Sequence, residues 1–351
     1  MNMIRSRPLF AAIILFASPC HAASQQLPYR DSTQSVDRRV VDLLGRMTLE
    51  EKFWQLFMIP GGRENPTQDY SHGVFGLQNR RAHTAREDAE LQNALQHYFV
   101  DSTRLGIPII PFEEGVHGLM RRGATVFPAA IGLAATFDSS LVSDVATEIA
   151  AEARARGIRQ VLSPVVNLAT DVRWGRVEET YGEDPYLASV MARSFVRPLE
   201  RRGVIATPKH FVANVGDGGR DSYPIDVSQR ALDERYFPPF HAAIVDAGAR
   251  SVMTAYNSVN GIPATENRSL LTGTIKNNWR FRGFIISDQA AVGGSVVLHH
   301  TEASTQTATV HALRAGLDVV FQSDYAQYRP FLAAIESGQL SRAVVDRAVA
   351  R

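Results

Sequence analysis

A single cysteine, Cys20, stands in 351 residues, so the chain has no disulfide of its own and no thiolate cluster to hold a metal. A dominant charge is missing too. Lysine and arginine number 37 against 36 aspartates and glutamates, a formal net charge of +1, which gives no electrostatic reason to bind nucleic acid or an anionic membrane surface. No apolar run after the N-terminus approaches the ~18 residues that would cross a bilayer, and no low-complexity tract breaks the chain. What is present is ordinary globular composition, 45% hydrophobic and 21% charged. The length suits one α/β barrel of about 250 residues with extensions, or two or three average domains.

The N-terminus sets the expected compartment. Arg5 and Arg7 precede an apolar run over 8–16, and small residues follow at Cys20, Ala22 and Ala23. The run is too short to span a bilayer, and the pattern reads as a secretory signal over 1–22. A buried N-terminal helix is the other reading, and a lipoprotein signal at Cys20 a third, which Pro19 suits poorly. Cleavage after Ala22 would remove the cysteine together with Arg5 and Arg7. The 37 basic residues would become 35 against 36 acids, a net charge of −1. The expected setting is the periplasm or the cell exterior, with residues 23–351 as the mature domain.

From there helical and strand patterns alternate. Apolar residues at helical spacing predict helices over 36–58 and 84–103, with capping boxes at Thr48/Glu51 and Thr84/Glu87. Short apolar, β-branched runs predict strands over 107–110, 160–166, 204–207, 251–255, 284–286 and 319–321, and a weaker one over 73–77. Helices are expected over 139–156, 185–202, 229–247, 269–278 and 305–315, with Gly157, Gly203, Gly248 and Gly316 closing four of them. Apolar strands separated by helices imply a parallel sheet covered on both faces. The expected fold is an α/β, (β/α)8 TIM-barrel-like domain. A doubly wound open sheet is the alternative, although no glycine-rich fingerprint follows the first strand.

In a barrel the chemistry sits at the C-terminal ends of the strands. Those positions here hold Glu113, Glu114 and His117; Asp171, Arg173, Trp174 and Arg176; Lys209, His210, Arg220 and Asp221; Tyr256; and Asp288. Carboxylates, cationic donors and aromatic rings on one rim are what cleavage of a sugar requires. Taken singly, each has a plainer reading. Asp288 can cap the turn after its strand, Lys209 and His210 can be a polar strand end, and Trp174 can be core. Glu178, Glu179, Glu183 and Asp184 suit the N-terminus of the helix that begins near Pro185.

The segments IPIIPFEEGVHG, TVFPAAIGLAATFD, RWGRVEETYGEDPYL, KHFVAN, MTAYNSVNGIPATEN and WRFRGFIISDQAAV occur in that order. From about Leu105 to Arg351 the chain resembles the N-terminal barrel of glycoside hydrolase family 3, and MTLEEKFWQL resembles the family's start. The resemblance implies a retaining exo-acting β-glucosidase in which Asp288 of GFIISD is the nucleophile. By the same resemblance Lys209, His210, Arg176 and Arg220 bind hydroxyls of the non-reducing sugar. Tyr256 stands beside the nucleophile, and Glu114 grips the far hydroxyls. Cations such as Lys209 and Arg220 are expected to keep Asp288 charged. No metal or organic cofactor is implied, and the implied partner is a β-linked oligosaccharide or β-glucoside.

Four departures qualify the resemblance. Gln289 stands where the family often has tryptophan, and Val172 where it often has proline. Tyr223 occupies the loop position where an N-acetylglucosaminidase branch uses histidine. The family usually continues into a second α/β domain that supplies the acid, whereas this sequence stops at Arg351. A barrel truncated at its C-terminal end is therefore expected. β-Xylosidase is the nearer alternative, and a sugar-binding remnant with little turnover or a structural partner are the more distant ones.

Overall fold

The computed structural model describes residues 27–215 and 223–351. The expected signal over 1–22 lies outside the described residues, as do Arg220 and Asp221. The chain divides into two compact units, Met1–Gly45 and Arg46–Arg351. Within the first, the turn Pro28–Arg30 is tied to the helix Val36–Arg46: the Tyr29 N–H donates to Asp42 Oδ2 at 3.1 Å, and Arg39 donates to Tyr29 O at 2.9 Å.

The second unit alternates strands and helices. Among the described residues eight short parallel strands run as β1 (Phe57–Pro60), β2 (Gly76–Gln78), β3 (Phe112–Glu113), β4 (Gln160–Val161), β5 (Ile205–Ala206), β6 (Ser251–Met253), β7 (Phe284–Ile286) and β8 (Val320–Phe321). They pair in the groups β8-β1-β2, β3-β4-β5 and β6-β7, with register partners such as Met58 and Gly76, or Val252 and Ile285. Backbone bonds also cross between the groups. Ile110 N–H donates to Phe75 O at 2.9 Å, Met253 N–H to Pro208 O at 3.1 Å, and Ser287 N–H to Val319 O at 2.9 Å. An antiparallel hairpin, Ser258–Val259 with Ile262–Pro263, follows β6. This is an α/β fold.

Two hydrophobic clusters reflect the alternation of strand side chains between two faces. The larger lies between strands and helices and includes Phe57, Ile59, Val161, Val252 and Ile285. A separate one contains Met58, Phe112, Leu162, Met253, Phe284, Ile286, Val319 and Phe321, with Phe75 and Ile205 against it. Gly76 belongs where it is because the backbones approach closely: a Cβ there would stand 2.4 Å from Ile110 O.

Both capping boxes form as expected, starting Leu49–Trp54 and Ala85–Ser102. Gly316 closes Thr305–Ala315 with φ of 116°. Four expectations are corrected. The helix expected over 36–58 ends at Arg46, restarts at Thr48, and gives way to β1, because a short buried apolar run carries no period that separates strand from helix. The strand expected over 107–110 forms at β3 instead: Pro108 and Pro111 have no N–H to give a ladder, so regular pairing begins beyond them. The weak strand over 73–77 pairs only as β2. The helix over 229–246 changes to wider turns on both sides of Pro238 and Pro239, which also lack donors.

Candidate active site

One cavity of about 700 Å³ opens at the C-terminal ends of the strands. β1 contributes Pro60 and the following Gly61 and Gly62. β2 contributes Gln78, Asn79 and Arg80, and β3 is followed by Glu114. Lys209 and His210 come from the segment after β5, Tyr256 from that after β6, Asp288 from that after β7, and Phe321 ends β8. Six of the seven site residues read from the sequence meet here: Glu114, Arg176, Lys209, His210, Tyr256 and Asp288.

Asp288 is buried, with 8% of its surface exposed. Its Oδ1 accepts the Gln289 N–H at 2.7 Å, while Oδ2 accepts no hydrogen bond and faces His210 Nε2 at 3.5 Å. Burial pushes its carboxyl up from 3.8 to about 6, against the pull of Lys209, the Gln289 N–H and Arg176; Glu114 pushes in the same direction as burial. Lys209 favours the charged form as expected, and burial works against it. Desolvation exceeds the attraction because Lys209 and Arg176 already hold acids of their own. Lys209 Nζ donates to Glu114 Oε2 at 2.7 Å. Arg176 grips Glu179 with two bonds of 2.7 and 2.8 Å.

His210 is set by Asn167, a residue that the strand-end reading passed over. The Asn167 side chain clamps the His210 backbone, with Oδ1 accepting its N–H at 2.8 Å and Nδ2 donating to its carbonyl at 2.9 Å. That orientation makes Oδ1 the acceptor for imidazole Nδ1–H at 3.1 Å, which turns Nε2 towards Asp288. The Tyr256 hydroxyl donates to Gln289 O at 2.8 Å, placing its ring beside the nucleophile candidate.

A model of the glycosyl hydrolase family 3 N-terminal domain matches residues 48–351. The chain belongs to glycosyl hydrolase family 3. A periplasmic β-glucosidase of Salmonella typhimurium is 34% identical over 89% of this chain and 41% of its own. A β-xylosidase of Formosa agariphila is 34% identical over 82% of this chain and 37% of its own. A β-glucosidase structure from Erythrobacter marinus has a TM-score of 0.86 and 33% identity, covering 92% of this chain and 45% of that one. A Listeria innocua β-glucosidase in complex with glucose has a TM-score of 0.78 and 31% identity, covering 90% and 46%. The chain thus spans about two-fifths of the length of these curated relatives.

Other rim residues of this family 3 domain go elsewhere. Glu113, adjacent to Glu114, is fully buried, hydrogen-bonded by Gln78 at 2.7 Å and Arg80 at 2.5 Å, and ion-paired with Arg121 at 2.8 Å. Asp171 pairs with the exposed Arg173, Trp174 is core, and Asp184 caps the helix Pro185–Arg201. His117 lines an adjoining cavity of about 790 Å³ that shares Glu114, Arg176 and Lys209 with the first. Applying the strand-end rule to the weak strand as well as the strong ones would have found Gln78 and Arg80. No periodicity marks Asn167.

Proposed function

We propose that the chain is the catalytic barrel of a retaining β-glycosidase that releases terminal non-reducing β-D-glucosyl residues, with Asp288 as nucleophile. The observation that carries this reading is the Asp288 carboxylate, whose uncommitted Oδ2 lines a cavity ringed by Glu114, Arg176, Lys209 and His210. In this function the eight strands close as a (β/α)8 ring. The backbone bonds that cross between the strand groups support that closure, and so does the inner cluster drawn from around the strands.

Glu114, Arg176, Lys209 and His210 present alternating charges and donors to the hydroxyls of one sugar ring, and Arg220 takes a share of that work. Bound hydroxyls place the anomeric carbon at Asp288 Oδ2. The carboxylate attacks as a general acid protonates the leaving glycosidic oxygen, and the conjugate base of that acid then takes a proton from the water that hydrolyses the glycosyl-enzyme, with net retention. The chain acts from the periplasm or the cell exterior, which the pattern over 5–22 supports.

The test uses activated fluoroglycosides with acidic leaving groups, which depart without protonation and so isolate the nucleophilic step. Mass spectrometry should find the label on the Asp288 peptide, and Asp288→Ala should abolish it while the protein remains folded. Label on Glu114 would overturn the assignment, and no label on the folded chain would overturn the reaction. The β-xylosidase relative favours a second reading, in which the xyloside reagent labels faster than the glucoside.

A further inference from the structure

The sugar cavity holds a cation that stands outside the set read from the sequence. Arg80 follows β2 and lines the cavity, with 45% of its side chain exposed. Its guanidinium is held by the fully buried Glu113. Nε donates to Glu113 Oε1 at 3.0 Å and to Oε2 at 3.1 Å, and Nη2 donates to Oε1. Nη1 has no hydrogen-bond partner among the described residues. A fork bound at two of its nitrogens has a fixed plane, and its third nitrogen remains free to donate.

The same carboxylate sets Glu114. Glu113 Oε1 accepts the Glu114 N–H at 2.9 Å. One buried group thereby spaces a cationic donor and an anionic acceptor, both of which line the cavity. Glu114 is in turn tied to Lys209 through Oε2 at 2.7 Å.

Charge balance shows that Arg80 is not needed to neutralise Glu113. Glu113 is ion-paired with Arg121 at 2.8 Å, Arg121 with Asp88 at 3.1 Å, and Asp88 with Arg156 at 2.9 Å. These four side chains are at most 4% exposed. Two carboxylates and two guanidiniums cancel, as buried charges must. Arg80 adds a third cation to the two acids, and of the five it is the one that lines the sugar cavity. The surplus positive charge therefore stands where a bound oxygen can meet it.

Its place is the end of the cavity away from Asp288. Arg80 interacts with the charges of Glu113 and Glu114, whereas Asp288 interacts with Lys209, Arg176 and Glu114. Glu114 thus lies between the two, and β8 and β1 separate β2 from β7. In a pyranose, C4 lies across the ring from the anomeric carbon. On the reading of Asp288 as nucleophile, we propose that Arg80 is a further substrate-binding residue, whose Nη1–H donates to the 4-hydroxyl oxygen of the terminal sugar. Glu113 is its positioning residue.

Calorimetric titration of the full chain with glucose, 4-deoxyglucose and 2-deoxyglucose tests this in wild type and in Arg80→Ala. Loss of the 4-hydroxyl should weaken binding to wild type by about tenfold to a hundredfold, the range for a hydrogen bond to a charged group. In Arg80→Ala that penalty should shrink by about tenfold or more. The penalty for 2-deoxyglucose, whose missing hydroxyl adjoins the anomeric carbon, should be the same in both proteins. Without Arg80 the buried network stays balanced and Glu113 keeps Gln78 and Arg121, so the variant folds, as its Tm should show. An arginine serving only the fold leaves the 4-deoxy penalty unchanged or shrinks both penalties alike, and either result overturns the proposal. Absence of glucose binding by wild type overturns it too. If Asp288 is labelled by the activated fluoroglucoside in any of these cases, the nucleophile reading stands and the Arg80 assignment alone falls; a wild type with neither binding nor label overturns both.

Discussion

Replacing Asp288 by asparagine removes a carboxyl that burial holds against ionisation. The native carboxyl titrates at about 6 and the unfolded one at 3.8. Between those values the native protein binds more protons than the unfolded chain, so stability contributed by this group falls as pH rises. It is fully present below the unfolded pKa and lost above the native one. A shift of about two units is worth roughly 3 kcal/mol, of which about 1.4 kcal/mol is lost between about pH 5 and pH 7.5. Asparagine does not titrate, so the stability difference between variant and wild type should move in favour of the variant by that amount. Urea unfolding of both proteins at the two pH values measures it. Repeating the pair in a His210→Gln background separates the carboxyl from the imidazole at 3.5 Å. A difference independent of pH in both backgrounds would refute the reasoning, because the carboxyl would then titrate as it does in water.

With Asp288 in the proposed role of nucleophile, the same carboxyl should set the acid limb of the attack. Labelling by the activated fluoroglucoside should fall about tenfold per pH unit below about 6, and a limb centred near the ordinary aspartate value would contradict the burial argument. Lys209→Ala should weaken glucose binding by about 1.5–3 kcal/mol, read by calorimetry. It should also move the labelling limb upward, because Lys209 pulls the Asp288 carboxyl down. N-terminal sequencing of the exported protein should begin at Ala23; a mature chain that retains Met1 would sink the secretion reading.

Local chemistry made much of this protein legible before its structure. Threonine followed three residues later by glutamate announces a helix start because both bonds of the capping box lie within one turn, and both boxes form. Apolar β-branched runs announced β4 to β8 to within a few residues, and the rule of strand ends then found Glu114, Lys209, Tyr256 and Asp288. β1 stayed hidden because three buried apolar residues and a proline after a helix carry no period of their own. The shift of β3 was readable from Pro108 and Pro111, whose missing donors were not weighed.

Sequence alone determined which residues come to the rim, since a side chain's place on a strand end is a local property. Tertiary structure decided what each of them is there. Glu113 and Glu114 are neighbours in the chain, yet one is sealed among Gln78, Arg80 and Arg121 while the other faces the cavity with Lys209. Successive residues on a strand point to opposite faces, and only the packing says which face is open. Likewise Asn167 holds His210 from 43 positions away, and the charge state of Asp288 depends on the burial of its carboxyl among distant parts of the chain. Desolvation and long-range contact belong to the folded state, so no window of sequence contains them.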